Sequence, residues 1–302
     1  MQVRCYDRDD VASFVSAVGP LLAADPLRHT VGLTVLDALT GIRTGAERPP
    51  GVAALLTVHD AGVVVGALLR TAGRPALVSA VRPEQAVLVD AALVTADPQL
   101  PGVSGPRPAA EALVAAHLAR AGGRVRVDRR LRLFRMAELI PVAGVAGAAR
   151  RATGADVELT LLAGWLLEFR REALPEQDDP QSPVEDLRRA LATGHGVLVW
   201  EVGRRPVALA VASRPIAGMS RIGPVYTPPG DRCHGYGAAV TAAAARWAQD
   251  AGARQVVLFV DEANPTTNRL YPRLGFRSVH EVLDLSFTTT PAPVGASGPF
   301  AQ

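Results

Sequence analysis

Residues 225–276 constrain this chain more than any other stretch. A β-run closes at Val225-Tyr226-Thr227, and Pro228, Pro229 and Gly230 break it. Arg232-Cys233-His234-Gly235-Tyr236-Gly237-Ala238 then opens a long alanine-rich helix. A helix amino terminus carries N–H groups with no intrahelical partner and a partial positive charge, so it suits a phosphate. Gly235 and Gly237 let a ligand approach the backbone. Arg232 adds a fixed cation able to pair with phosphate oxygens. From the residues alone, an anion cradle and a plain glycine-rich helix cap both stay open. A Rossmann turn shares the glycine pattern, but Asp261 comes too late to close the following strand at Rossmann spacing.

An apolar strand over residues 255–260 follows the helix, then Asn264-Pro265-Thr266-Thr267-Asn268-Arg269-Leu270-Tyr271-Pro272-Arg273-Leu274-Gly275-Phe276. With both motifs in order, the stretch resembles the acyl-CoA core of the GNAT superfamily of N-acetyltransferases. In that family the R/Q-x-x-G-x-G/A turn holds the CoA pyrophosphate. The later N-x-x-A/S-x-x-L-Y-x-x-x-G-F block supplies an Asn near the cofactor and a Tyr near its sulfur. The resemblance covers residues 184–287, about a third of the chain.

The resemblance implies an α/β fold, a mixed sheet with flanking helices, and an acetyl-CoA-dependent transfer of an acetyl group to a primary amine by direct attack. Acetyl-CoA would be a co-substrate, and no metal is implied. The implied cofactor-binding set is Val225, Tyr226, Thr227, Arg232, Cys233, His234, Gly235, Tyr236, Gly237, Ala238, Asn264 and Asn268. Tyr271 is the implied catalytic residue, protonating the departing thiolate; read structurally, it is a core residue packing on Leu274 and Phe276. Asn264 is equally readable as a helix cap before Pro265. Residues 220–226 contain no carboxylate, so the general base stays open, with Glu201, Asp261 and Glu262 as candidates. His234 should point outward beside phosphate. Cys233 lacks a supporting His–Asp pair for nucleophilic work. Trp165 and Phe169 read as core residues that can also wall an acceptor cleft. The acceptor is expected to be a small-molecule amine or a peptide amino terminus. A non-catalytic acyl-CoA sensor or interaction module on the same fold is the alternative, and the missing strand carboxylate speaks for it.

The 302 residues leave room for more than one domain. A share of 48% hydrophobic and 20% charged residues indicates a globular chain. All 32 basic residues are arginine, yet the formal net charge is only +3. No dense basic run with interleaved aromatics supports nucleic-acid binding. Cys5 and Cys233 lie far apart, which suits a reducing compartment, and neither has Cys or His partners at zinc spacing. No signal peptide or membrane span is readable, so a cytoplasmic monomer or homodimer is expected.

In chain order, Asp9 or Asp10 caps a helix over residues 11–22, and a second helix spans 29–42. A loop over 44–51 leads to a hairpin, 52–58 and 63–70, turning at Asp60-Ala61-Gly62. A strand at 76–81, a helix at 83–95, a short β-piece at 102–105, a helix at 107–121 and a strand at 125–136 follow. The Gly/Ala-rich stretch 142–153 marks a boundary. Helices at 156–173 and 184–193 flank an acidic loop at 175–183. A hairpin at 196–202 and 206–213 and a strand at 219–227 lead into the cradle, and a strand at 280–287 closes the fold. Domains are therefore expected at 1–140 and 141–287, with a tail at 288–302. The halves echo each other, which suggests tandem GNAT-like domains, the first a degenerate copy. In that alignment 119–125 resembles 248–255, and Gly102-Val103-Ser104-Gly105-Pro106-Arg107 takes the place of the cradle.

Overall fold

The computed structural model describes residues 1–7, 10–41, 51–173 and 182–288. The expected loops at 44–51 and 175–183 and the tail at 288–302 lie wholly or mainly outside these residues, as does Asp9. Asp10 does cap the first helix: its Oδ1 accepts the Ser13 N–H at 3.3 Å.

The elements are β1 (Gln2–Cys5), α1 (Val11–Ala24), α2 (Thr30–Gly41), β2 (Val52–Asp60), β3 (Val63–Thr71), β4 (Ala76–Ala80), α3 (Ala86–Ala96), β5 (Gly102–Pro106), α4 (Arg107–Ala121) and β6 (Arg124–Met136). They continue with β7 (Ala148–Arg151), α5 (Asp156–Ala173), α6 (Pro183–Ala192), β8 (Gly196–Val202), β9 (Arg205–Ala212), β10 (Met219–Tyr226), α7 (Tyr236–Asp250), β11 (Gln255–Asp261), α8 (Pro265–Arg273) and β12 (Phe276–Thr288). One order, strand, two helices, three strands, helix, strand, helix, strand, occurs twice: over β1 to β6 and over β7 to β12.

Both hairpins turn through two residues of positive φ, Ala61 (48°) with Gly62 (83°) and Gly203 (54°) with Arg204 (68°). These are the left-handed turns that match strand twist. The repeat corrects the expected internal alignment. By element order α4 corresponds to α8, and Gly102–Pro106 to β11. The counterpart of the cradle is the short Val81-Arg82 link into a 3-10 turn at Pro83–Gln85. There the buried Gln85 side chain accepts the Arg82 N–H at 2.9 Å and donates to the Val65 carbonyl at 3.1 Å.

The chain divides into two compact units that do not follow sequence order. Unit 1 comprises Met1–Val18, Pro50–Arg129 and Leu283–Gln302. Its strands run in the order β1-β2-β3-β4-β5-β12, with only β4–β5 parallel among the registered pairs. Apolar residues of β2, β3 and β4 pack with Val89 and Leu93 of α3 and with Leu113 of α4.

Unit 2 comprises Gly19–Pro49 and Arg130–Val282. Its strands run β12-β6-β11-β10-β9-β8-β7, again with a single parallel pair, β10–β11, among the registered pairs. One face buries Ile222, Leu258, Val260, Ala208 and Ala210 against α7 residues Val240, Ala244 and Ala248. The other buries Val197, Val199 and Leu209 against Leu159, Leu162 and Trp165 of α5 and Leu187 of α6.

Candidate active site

The parallel pair at the middle of unit 2 opens part way along. β10 and β11 pair from Met219↔Gln255 to Ile222↔Leu258, and no further. Beyond that, β10 stays with β9 through Val225↔Ala210 and Tyr226↔Leu209, after a register shift between Ile222 and Val225. β11 stays with β6 through Phe259↔Leu133, Val260↔Arg132 and Asp261↔Leu131. Neighbouring strands that diverge leave backbone N–H and C=O groups on the facing edges free for a ligand.

The cradle lies at the end of β10. A 3-10 turn, Pro229–Asp231, carries the chain to Arg232, and Cys233 takes a left-handed φ of 66°. Gly235 is the N-cap of α7 at φ 82°, ψ 1°, a left-handed conformation that disfavours a β-carbon. A β-carbon built there would also lie 2.9 Å from Val145 Cγ2. No side chain caps α7, so the N–H groups of Tyr236, Gly237 and Ala238 are left for an anion. A β-carbon on Gly237 would stand 3.4 Å from Thr227 Oγ1, which places the first turn of α7 beside the end of β10. His234 is exposed, its ring stacked on Tyr236 at 5.4 Å and its Nδ1 3.3 Å from the Asp231 carbonyl. Asp231 in turn takes two bonds from Arg205, at 2.6 and 2.9 Å. Cys233 is a free, exposed thiol.

Arg232 has a protein partner that its sequence neighbourhood does not reveal. Its Nε donates to the Thr227 carbonyl at 3.0 Å, and one terminal nitrogen donates to both carboxylate oxygens of Glu172 on α5, each at 2.8 Å. Its guanidinium also lies over the Tyr226 ring, 5.6 Å from the centroid. The buried Tyr226 donates its hydroxyl to Glu168 at 2.8 Å and to Glu172 at 3.3 Å. Burial first, and the Glu168 bond second, push this phenol up to about 12. Glu168 and Glu172 were not singled out by sequence reasoning. Their signal is a four-residue spacing that puts two carboxylates on one face of α5.

Tyr271 is buried in the α7-side core, edge-to-face with Phe276 at 6.0 Å. Burial pushes its hydroxyl up to about 12, and a bond with Thr241 of α7 opposes that shift. The phenol therefore stays protonated across the neutral range. Gly275, in the same block, is needed for close approach: a β-carbon there would come within 1.7 Å of the Glu138 carbonyl oxygen.

The two asparagines both organise the loop. Asn264 Oδ1 caps α8, accepting from the Thr266 and Thr267 N–H groups at 3.1 and 3.2 Å. Asn268 Nδ2 donates to the carbonyls of Asp261 (2.8 Å), Glu262 (3.3 Å) and Asn264 (2.7 Å). The carboxylates considered as bases are engaged as well. Glu201 pairs with Arg150, Glu262 with Arg132 at 2.6 Å, and Asp261 accepts the Ala263 N–H at 2.8 Å. Trp165 and Phe169 belong to the α5-side core. Among the described residues, no cluster of three or more His, Cys, Asp or Glu can hold a metal ion, and no helix is long and apolar enough to cross a membrane.

Residues 162–276 match the model of the Acetyltransferase (GNAT) family. The match runs from α5 to the start of β12. No curated protein matches it. Among solved structures, an acetyltransferase from the GNAT family of Colwellia psychrerythraea is similar at TM-score 0.57 and 10% identity, covering 95% of this chain and 100% of that one. A GCN5-related N-acetyltransferase from Sphaerobacter thermophilus is similar at TM-score 0.57 and 18% identity, covering 95% and 96%. Another, from Kribbella flavida, reaches TM-score 0.54 at 17% identity over 76% and 89%. These likenesses establish the fold, and the family match supports acyl transfer in general.

Proposed function

We infer that unit 2 transfers an acetyl group from acetyl-CoA to a primary amine, on a small molecule or a peptide amino terminus. The observation that carries this reading is the divergence of β10 from β11 next to an uncapped α7 amino terminus. Phosphates suit the N–H groups of Tyr236, Gly237 and Ala238, with Arg232, once exchanged from Glu172, as their cation. The backbone of Val225, Tyr226 and Thr227 borders the opening through which the acyl arm would run. The bound thioester supplies the activated carbonyl.

In the reaction the amine nitrogen bonds to that carbonyl carbon and the carbon–sulfur bond breaks. The amine loses a proton and the leaving sulfur gains one. Tyr271 suits the second role, because its buried phenol remains a proton donor at neutral pH. Glu168 and Glu172, bonded to Tyr226 at the end of β10, are suited to receive the first proton, directly or through water. The first half is read as a degenerate copy, consistent with its Gln85-filled turn.

Calorimetric titration with acetyl-CoA, followed by a thiol-release assay with a panel of amines, tests the reading. One cofactor per chain and amine-dependent thiol release are expected. Binding without release under every amine would instead favour an acyl-CoA-binding module, and no binding would remove both.

A further inference from the structure

Arg221 is the third residue of β10. It pairs in register with Val257, one residue before Ile222, where pairing with β11 ends. Alternation along the strand puts it on the face opposite Ile222 and α7. Among the described residues no carboxylate or side-chain hydrogen bond engages its guanidinium, and burial alone pushes it down to about 10. Arg221 is only partly buried, so its guanidinium stays within reach of a ligand.

The neighbouring charges do not compensate it. Asp37 of α2 is taken by Arg214. His195, which feels Asp37, Arg214 and Arg221, is pushed below its ordinary range by burial and is neutral at pH 7; its Nδ1 lies 3.0 Å from Thr193 Oγ1. One positive charge is left over, at Arg221. Open space adjoins the strand two residues on, about 7 Å along: a β-carbon built on Gly223 would meet no atom within 4 Å. At the far end of β10, Tyr226 packs on the α5 side and holds the two α5 carboxylates. The face opposite α7 is covered by α5 and α6 over β8 and β9, and the partly exposed Arg221 and exposed Gly223 mark where a second substrate can reach it on β10.

We propose that Arg221 binds a carboxylate of the acceptor, which is therefore an amine that also carries a carboxylate, either a free amino acid or a short acidic peptide. Its amine lies at the β10–β11 opening and its carboxylate takes the planar guanidinium in two parallel bonds. This rests on the acyl-transfer reading of unit 2.

The test uses the full chain, saturated with CoA for calorimetry and with acetyl-CoA for turnover, and three sets of probes: free amino acids, their α-amides, and dipeptides with a free amino terminus and an acidic end. Calorimetry gives affinities and thiol release gives KM and kcat, for wild type, Arg221→Gln and Arg221→Lys. Carboxylate probes should bind about 10- to 100-fold more tightly than the matching amides. Arg221→Gln should erase that preference in KM while leaving CoA affinity intact, and Arg221→Lys should restore part of it. Preference for amino acids or for dipeptides identifies the source of the carboxylate. Equal binding of acids and amides to wild type, or an unchanged preference in Arg221→Gln with CoA still bound, overturns the proposal. Failure of wild type to bind CoA overturns the transfer reading instead, and the acid-to-amide ratio on the free protein then still decides Arg221.

Discussion

The bond between Arg232 and Glu172 sets up a competition that can be measured. If Arg232 serves the phosphates, CoA must first displace Glu172, so replacing the carboxylate should tighten binding. One Arg232 nitrogen meets both Glu172 oxygens at 2.8 Å, but the two side chains are 43% and 50% exposed. Exposed pairs of this kind are worth about 0.2–1 kcal/mol. Glu172→Gln should therefore raise CoA affinity by roughly 1.4- to 5-fold. Tyr226 keeps its shorter bond to Glu168, so the end of β10 should hold its shape. Arg232→Ala loses charge-assisted phosphate bonds of about 1.5–3 kcal/mol, offset by the pair no longer broken, for a net loss of about 2- to 100-fold. In the double variant the gain from Glu172→Gln should vanish, since there is no cation left to release. Calorimetric titration with CoA across all four proteins reads the cycle. Repeating it at about 1 M salt, where the screening length falls to about 3 Å, should shrink every term. A Glu172→Gln gain that persists without Arg232 would refute the competition, and an unaltered affinity in Arg232→Ala would take the cation out of the cradle.

Three further outcomes follow from the site. Tyr271→Phe should lower kcat by about 10²- to 10⁴-fold with CoA affinity unchanged; a turnover equal to wild type would make Tyr271 a packing residue. Asn264→Ala should cost about 0.5–2 kcal/mol in a denaturant titration by removing the α8 cap, and an affinity loss larger than the stability loss would show a direct cofactor contact. Acid should weaken unit 2 through His29: burial lowers its pKa from 6.5 to about 4. The folded state thus prefers the neutral ring, so its contribution is present above 6.5 and is lost as pH falls toward 4. His195 and His280 are shifted the same way. Thermal melts of wild type and His29→Gln between pH 7.5 and 4.5 should converge at the acid end, and parallel curves would exclude His29.

What was legible in the sequence was local. The Asp60-Ala61-Gly62 and Gly203-Arg204-Arg205 turns, the bounds of α4 and α5, and the strand–turn–helix of the cradle all depend on residues adjacent in the chain. β1 and β7 escaped because each is four residues long and mostly exposed, QVRC and AARR, so neither alternates enough to signal a strand. The internal repeat was seen but placed one strand–helix step out of register, because an alanine-rich helix ending in Ala-Gly describes α4 and α7 equally well. The partners of the site were not legible. Glu172 lies 60 positions from Arg232, and no sequence pattern marks which arginine of β10 is left without a carboxylate.

The grouping of the chain into units also explains how the first half can matter without a cradle of its own. Unit 2 takes α2 and the second part of β6 from the first half. β6 pairs with β11 from Val257↔Arg135 to Asp261↔Leu131, so it holds β11 extended over the very residues where β10 has left it. On the other side β9 holds Val225 and Tyr226. An opening between two strands in a sheet would close or fray unless each had an outer partner to keep its backbone bonds satisfied. β6 supplies that partner for β11. α2 adds Asp37, which neutralises Arg214 and leaves Arg221 as the unmatched charge on its face. The geometry of the opening and the charge beside it thus both depend on segments from the first half of the chain.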